Sequence, residues 1–264
     1  MRTAPRPTFA EWRAATDAAS GASVAAHVEG DHVVLLHRWA RAGAPTVVLV
    51  HGLGMGQQSF GMLRAQLSRS FDVVALDLPG FGQSPEPATS LPMVELADLV
   101  AAALASLVQT PAILVGHSMG AQIVAEVAAR HPALVERVAF VSPTVNPAER
   151  SAWQQGLRMV QDLRNDPPIV IAVGARLYLR AGPRWYLRKL RTMLEHDLRT
   201  PLPHIVQPAL VIRGDQDRVC PPDWAHEVVD ALPDGALRTI EDCGHESIVT
   251  GADRLAAILE EFVG

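Results

Sequence analysis

Six short apolar runs alternate with segments of helical period, and this alternation constrains the fold of the 264-residue chain more than any other feature. The runs are TVVLV (46–50), DVVAL (72–76), AILVG (112–116), VAFVS (138–142), ALVIR (209–213) and the more polar LRTIED (237–242). Each stops at a turn signal: Gly52 and Gly54, Asp77-Leu78-Pro79-Gly80, Ser118, Pro143, Gly214-Asp215, and Cys243-Gly244-His245. Helical period fills 92–108, 119–130, 222–232 and 252–263. Strands apolar on both faces, each followed by a helix, belong in a mostly parallel sheet covered on both sides. SVAAHVE and HVVLLHRWA flank Gly30-Asp31 and read as a hairpin that adds an antiparallel edge.

At 48% hydrophobic and 19% charged, the chain can bury one large α/β core. A net charge of −5 argues against a nucleic-acid partner. The first twenty residues carry Pro5, Pro7, Glu11 and Arg13 and lack the apolar stretch of a signal peptide. The longest apolar-rich run, 99–108, is too short to span a bilayer, so no membrane insertion is expected. Two cysteines, Cys220 and Cys243, make no disulfide framework, and two buried thiols in a cytoplasmic protein are the expectation.

One interval breaks the rhythm. Residues 145–203 are mostly helical yet stand between two core strands, which reads as an inserted cap. The expected organisation is a core of 20–144 and 204–264, a helical cap of 145–203, and an N-terminal extension of 1–19. The cap holds ten basic residues, Lys189 among them, against five acids; its net +5 leaves −10 for the rest. Leu187, Leu190, Met193 and Leu194 share one face of a helix over 183–199, and Arg184, Arg188 and Arg191 form a solvated face. The excess positive charge is expected to meet water or an acidic substrate group.

Gly116-His117-Ser118-Met119-Gly120 puts a serine on the corner between a strand and a helix, between residues small enough for the two to approach. Met119 opens the helix, so its free N–H points where a developing oxyanion would sit. A dinucleotide loop at HGLGMG fails on spacing, because the third glycine falls at 56 rather than 57. HEVVD (226–230) lacks the second histidine of a zinc helix, so no metal and no cofactor are expected.

VLVHGLGMG, DLPGFGQS, LVGHSMG, VIRGDQDRVCPP and DCGHE stand in the order found in the α/β-hydrolase fold family, which the chain resembles over roughly residues 20–264. The resemblance implies Ser118 as nucleophile, His245 as general base and Asp217 as the acid that orients it. Asp215, two residues earlier in the same turn, is the runner-up for the acid. It implies Leu53 and Met119 as backbone donors to an oxyanion. Trp153, Tyr178, Trp185 and Tyr186 in the cap are candidates for an apolar substrate wall. The sequence departs from the family's common pattern at Ala121, at Glu246-Ser247 after the histidine, and in SIVTGADR, which lacks the usual acid and proline.

These residues together point to a hydrolase of a carboxylic ester, thioester or lactone acting on a small molecule, with no cofactor. Two other readings stay open on the sequence. One is a C–C bond hydrolase of ring-fission products, whose members share the Ser-Met-Gly elbow but often have Asn where His117 stands. The other is a ligand-binding homologue without turnover. The sequence leaves the oligomeric state open.

Overall fold

The computed structural model describes residues 21–107, 111–163, 171–172 and 182–264; the 1–19 extension and Tyr178 lie outside them. Eight strands form one sheet: β1 (Ser23–Glu29), β2 (His32–Trp39), β3 (Thr46–Val50), β4 (Asp72–Asp77), β5 (Ala112–His117), β6 (Val135–Val141), β7 (Ala209–Gly214) and β8 (Gly235–Ile240). Their spatial order is β1-β2-β4-β3-β5-β6-β7-β8. β2 is antiparallel to both β1 and β4, and every other neighbouring pair is parallel. The expected architecture, a parallel sheet with an antiparallel hairpin at one edge, is the observed one.

The helices used below are α1 (Gly61–Leu67), α2 (Met93–Leu107), α3 (Met119–Arg130), α4 (Ala152–Leu163), α5 (Pro183–Glu195), α6 (Pro222–Asp230), α7 (Ser247–Thr250) and α8 (Ala252–Val263). The two-residue period of the strands sorts their side chains into two cores. Val48, Val50, Leu114, Val138 and Phe140 join the cluster under α2, α3 and α6. Their neighbours Val47, Leu49, Ile113, Ala139 and Val141 join the cluster under α1 and α8. This is why the strand sequences are apolar throughout rather than alternating.

The last strand begins and ends two residues before the expected 237–242. Ile240 is the last residue in register, opposite Gly214, and Asp242, at φ 54°, already belongs to the turn. As an edge strand β8 is half exposed, so polarity gives no sharp boundary there.

Helices α4 and α5 lie between β6 and β7 in the chain, within the interval expected to form the insert. α5 packs on the core through Trp185, Met193, Leu190 and Leu194. Lys189 departs from the expectation that the insert's cations face water. It is only 1% exposed; its Nζ donates to the Leu91 carbonyl at 3.3 Å and lies 5.4 Å from the centre of the Trp185 ring. Burial pushes its pKa down to about 8. Arg184, Arg188 and Arg191 are exposed, as the solvated-face reading requires.

Phe140 is the penultimate residue of β6 and is fully buried. Phe140→Ala removes a large ring between sheet and helices, and about 3–5 kcal/mol of unfolding free energy should be lost. Urea denaturation followed by circular dichroism measures it; a loss below about 1 kcal/mol would mean that this layer repacks freely.

Candidate active site

The parallel strands all end on one side of the sheet, and the loops after β3, β5, β7 and β8 converge there. Between β5 and α3, Ser118 has φ 54° and ψ −117°. A non-glycine residue in such a conformation costs about 1–3 kcal/mol, so its surroundings must hold it. Its N–H donates to the Val141 carbonyl at 3.0 Å, and its carbonyl accepts the Ala121 N–H at 3.0 Å. The flanking glycines make the corner possible. A Cβ on Gly116 would collide with the Gly120 carbonyl, and one on Gly120 with the Val50 carbonyl. Strand, turn and helix thus touch backbone to backbone, and the serine side chain projects beyond them.

Ser118 Oγ lies 3.0 Å from His245 Nε2. His245 Nδ1 lies 3.2 and 3.3 Å from the two carboxylate oxygens of Asp217. A carboxylate can only accept, so Nδ1 carries a proton, and in the neutral ring Nε2 presents its lone pair to the hydroxyl. Asp217 Oδ1 also accepts the Val219 and Cys220 N–H groups, each at 2.8 Å. Burial disfavours the Asp217 charge, but the His245 charge and these hydrogen bonds outweigh it, and its pKa lies below the ordinary value. Burial likewise disfavours the imidazolium, and the Asp217 charge overcomes it, raising His245 to about 9. Asp215 is exposed and turned elsewhere: its Oδ1 accepts the Cys243 N–H at 3.2 Å. The turn that holds both aspartates presents Asp217, not Asp215, to the imidazole.

Gly52 brings the β3 loop against the Ser118 corner; a Cβ there would sit 3.1 Å from the Ser118 Cβ. The preceding His51 is buried and fixes the loop. Its Nδ1–H donates to the Gly52 carbonyl at 2.8 Å, and its Nε2 accepts the Leu78 N–H at 3.1 Å. Burial lowers its pKa, which keeps the ring neutral for both bonds. With the Gly52 carbonyl tied to the ring, Leu53 lines the cavity in front of Ser118. Asp77 anchors the rear of the same region, accepting from Gln57 N at 2.7 Å, Gln83 N at 2.9 Å and His37 Nε2 at 3.0 Å.

His117 has a role that the sequence did not reveal. Its Nε2 donates to the His245 carbonyl at 3.0 Å, and the two rings lie 5.1 Å apart. Burial pushes its pKa down to about 3, so it stays neutral and ties the serine corner to the histidine loop. His117, His245 and Glu246 place ligand-type atoms within 4.8 Å of one another. Both ring nitrogens of His245 are engaged by Ser118 and Asp217, so a metal there would have to break that chain.

Ser118 and His245 open into a cavity of about 630 Å³ walled by Leu53, Met55, Met159, Leu187, Leu190 and Met193. Helix period decides which insert residues reach it. Ala152, Gln155, Gly156 and Met159 of α4 and Pro183, Tyr186, Leu187, Leu190 and Met193 of α5 line the cavity at i, i+3, i+4 and i+7 spacing. Of the expected substrate-wall residues that are described, Trp153, Trp185 and Tyr186, only Tyr186 lies on such a stripe. Trp153 is 79% exposed on the outer side of α4. Trp185 is 1% exposed and lies about 100° around the helix from Tyr186. Its indole covers Gly80, where a Cβ would collide with it, and packs against Phe81. Tyr178 falls outside the described residues. Cys220 and Cys243 are buried free thiols.

The model of the alpha/beta hydrolase family matches residues 47–258, which span every loop described above. The chain belongs to the alpha/beta hydrolase family. This hydrolase is 26% identical over 254 residues to pimeloyl-[acyl-carrier protein] methyl ester esterase of Nitrosospira multiformis, covering 83% of the chain and 94% of the relative. It is 31% identical over 274 residues to the dihydrolipoyllysine-residue acetyltransferase component of the acetoin cleaving system of Cupriavidus necator, covering 95% and 72%. Among solved structures, the enol-lactonase of Burkholderia xenovorans LB400 has a similar fold, with a TM-score of 0.79 at 24% identity over 90% and 99% of the two chains.

The hydrolase should lose kcat by about three to four powers of ten on Asp217→Asn, because the amide supports the wrong imidazole tautomer. Asp215→Asn should stay near wild type. A base works only when deprotonated, so wild-type activity falls as pH drops through the raised His245 pKa. Without the Asp217 charge that pKa drops, and the acid limb of the residual kcat/KM profile should move to lower pH. Steady-state kinetics across pH checks both; a large loss in Asp215→Asn alone would overturn the assignment.

Proposed function

We propose that this hydrolase cleaves carboxylic esters, with thioesters and lactones in its range, through an acyl-enzyme on Ser118. The observation that carries the reading is the 3.0 Å contact between Ser118 Oγ and His245 Nε2, backed by Asp217 and opening into an apolar cavity. Ser118 Oγ attacks the carbonyl carbon as its proton passes to Nε2. The carbonyl oxygen, now negative, accepts from the Leu53 and Met119 N–H groups. Collapse breaks the bond to the leaving oxygen, which takes the proton from His245. Water, deprotonated by His245, then attacks the acyl carbon; as the bond to Ser118 Oγ breaks, His245 returns that proton to Oγ and the acid leaves.

The likeness to a methyl ester esterase over most of both chains supports the ester class. The 145–203 insert is the proposed cap: its α4 and α5 stripes make the wall opposite the catalytic loops, where it sets the size of the acyl or alcohol part. No helix of the described residues is long and apolar enough to cross a membrane. Two free buried thiols support a cytoplasmic location.

Two experiments follow. A small fluorophosphonate should label Ser118 and no other serine, as read by mass spectrometry of the digest; a label elsewhere on folded protein, or none, sinks the nucleophile assignment. Leu190→Trp should shorten the accepted chain. Across p-nitrophenyl esters, kcat/KM for the longest acyl group should fall by about tenfold or more while acetate is spared, since each methylene is worth about 1–3 kcal/mol in such a pocket. An unchanged ratio between long and short esters would remove α5 from the specificity wall.

A further inference from the structure

The α4 stripe that lines the cavity continues past Met159 to a carboxylate. Asp162 is three residues further on the same face and is 1% exposed. A charged side chain on the inward face of a helix needs partners there. Its partners are two backbone N–H groups from two different loops. Oδ1 accepts from Arg218 N at 2.9 Å, and Oδ2 accepts from His245 N at 2.7 Å. Arg218 directly follows Asp217, and His245 is the histidine itself. The carboxylate lies against Gly244, where a Cβ would approach Oδ2 to 2.7 Å. The glycine before His245 thus leaves room for a group carried by the insert.

The two loops already touch farther from the cavity, through Gln216 N to the Cys243 carbonyl and Cys243 N to Asp215 Oδ1. Those bonds join the bases of the loops. Asp162 joins them at the two positions that decide the Asp217–His245 distance. We propose that Asp162 is a positioning residue of this hydrolase, a carboxylate on the insert that holds the Asp217 and His245 loops in catalytic register and makes that register depend on the seating of α4. The inference rests on the reading of Ser118, His245 and Asp217 as the triad.

Two consequences distinguish this role from simple anchoring of the insert. The first is geometric: displacing either loop lengthens the His245 contacts without removing a group that touches substrate, so kcat falls and KM holds. The second is electrostatic. His245 is faced by Asp217 from the β7 loop, Glu246 from its own loop, the neutral His117 from the serine corner and Asp162 from α4, while the Arg213 guanidinium holds the Asp217 carbonyl. Burial disfavours the imidazolium, and the carboxylates, Asp162 among them, favour it. Neutralising Asp162 therefore lowers the His245 pKa and moves the acid limb of kcat/KM to lower pH.

The test uses the full chain. Wild type, Asp162→Asn, Asp162→Glu and Arg158→Gln are compared after circular dichroism verifies folding. Arg158 pairs with Glu149 inside the insert at 2.8 Å and serves as the control for a loosened insert. For p-nitrophenyl acetate, Asp162→Asn should lose about ten- to hundredfold in kcat, as expected for a misplacement near 1 Å, with KM within about twofold. Its acid limb should lie at lower pH, and its Ser118 should react more slowly with the small fluorophosphonate. Asp162→Glu keeps the charge but displaces the carboxylate by one methylene; it should lose kcat with the acid limb in place. Arg158→Gln should match wild type in both. Wild-type kcat in Asp162→Asn, or equal losses in Asp162→Asn and Arg158→Gln with a fixed acid limb, overturns the proposal. Should Asp162→Asn not fold, Asp162→Glu decides, and wild-type kcat there overturns it. Failure of wild type to label at Ser118 rejects the triad reading instead, so the two failures are separable.

Discussion

The rest of the site depends on one backbone constraint, the left-handed conformation of Ser118 between β5 and α3. It can exist only because Gly116 and Gly120 let strand, turn and helix meet backbone to backbone. It also binds the sheet to the site. The Ser118 N–H is held by the end of β6, and Gly120 lies on the end of β3. The central strands therefore fix the corner that carries the hydroxyl, and the loops after β3, β7 and β8 need only be brought to that point. A buried parallel sheet suits the task because neighbouring strands end together and rigidly.

The other loops are brought in by polar bonds that bury almost every participant. His51 holds the β3 loop, Asp77 holds the turn behind it, His117 holds the histidine loop, and Asp217 gathers two N–H groups besides the imidazole. The electrostatic division among the histidines follows from their neighbours. All three of His51, His117 and His245 are fully buried, and burial lowers the pKa of each. Only His245 has a carboxylate on its ring, and only His245 is raised. One ring is thus prepared to take a proton while the two beside it stay neutral and structural.

The fold was legible because it rests on periodicity. Continuous apolar runs and helical runs at period 3.6 placed most of the core strands and helices within two residues; β6 begins three residues before the expected run, the short α1 had no expected counterpart, and β8 slipped because an edge strand lacks a sharp change of polarity. Asp217 was preferred to Asp215 through the resemblance to the α/β-hydrolase family, with Asp215 left as the runner-up. The insert was not legible in the same way. Being aromatic does not say which way a helix turns a side chain: Trp153 faces water and Trp185 faces Gly80, although both belong to helices that line the cavity. Lys189, counted with the solvated cations, is buried because the α5 stripe facing the core runs through Trp185, Lys189 and Met193. Asp162 and His117 bond to backbone groups, and a backbone partner leaves no motif. A carboxylate continuing the inward stripe of α4 was the signal available, and it required the phase of that helix to be known first.

On the proposed reading of the site, this arrangement joins selectivity to reactivity. The α4 residues that bound the cavity, Gln155, Gly156 and Met159, and the residue that bridges the Asp217 and His245 loops, Asp162, occupy successive turns of one stripe. A helix is stiff over three turns, so a rotation or shift that enlarges the cavity at Met159 must also move the carboxylate at Asp162. The α5 stripe is held differently: Leu187 and Leu190 border the cavity, while Trp185 covers Gly80, Lys189 donates to the Leu91 carbonyl and the Met193 carbonyl accepts the Gln122 amide of α3. The two walls of the cavity are therefore unequal. Leu187 and Leu190 on α5 bear on the size of the cavity, whereas on the proposed reading changes along α4 act on that size and on the register of the Asp217 and His245 loops together.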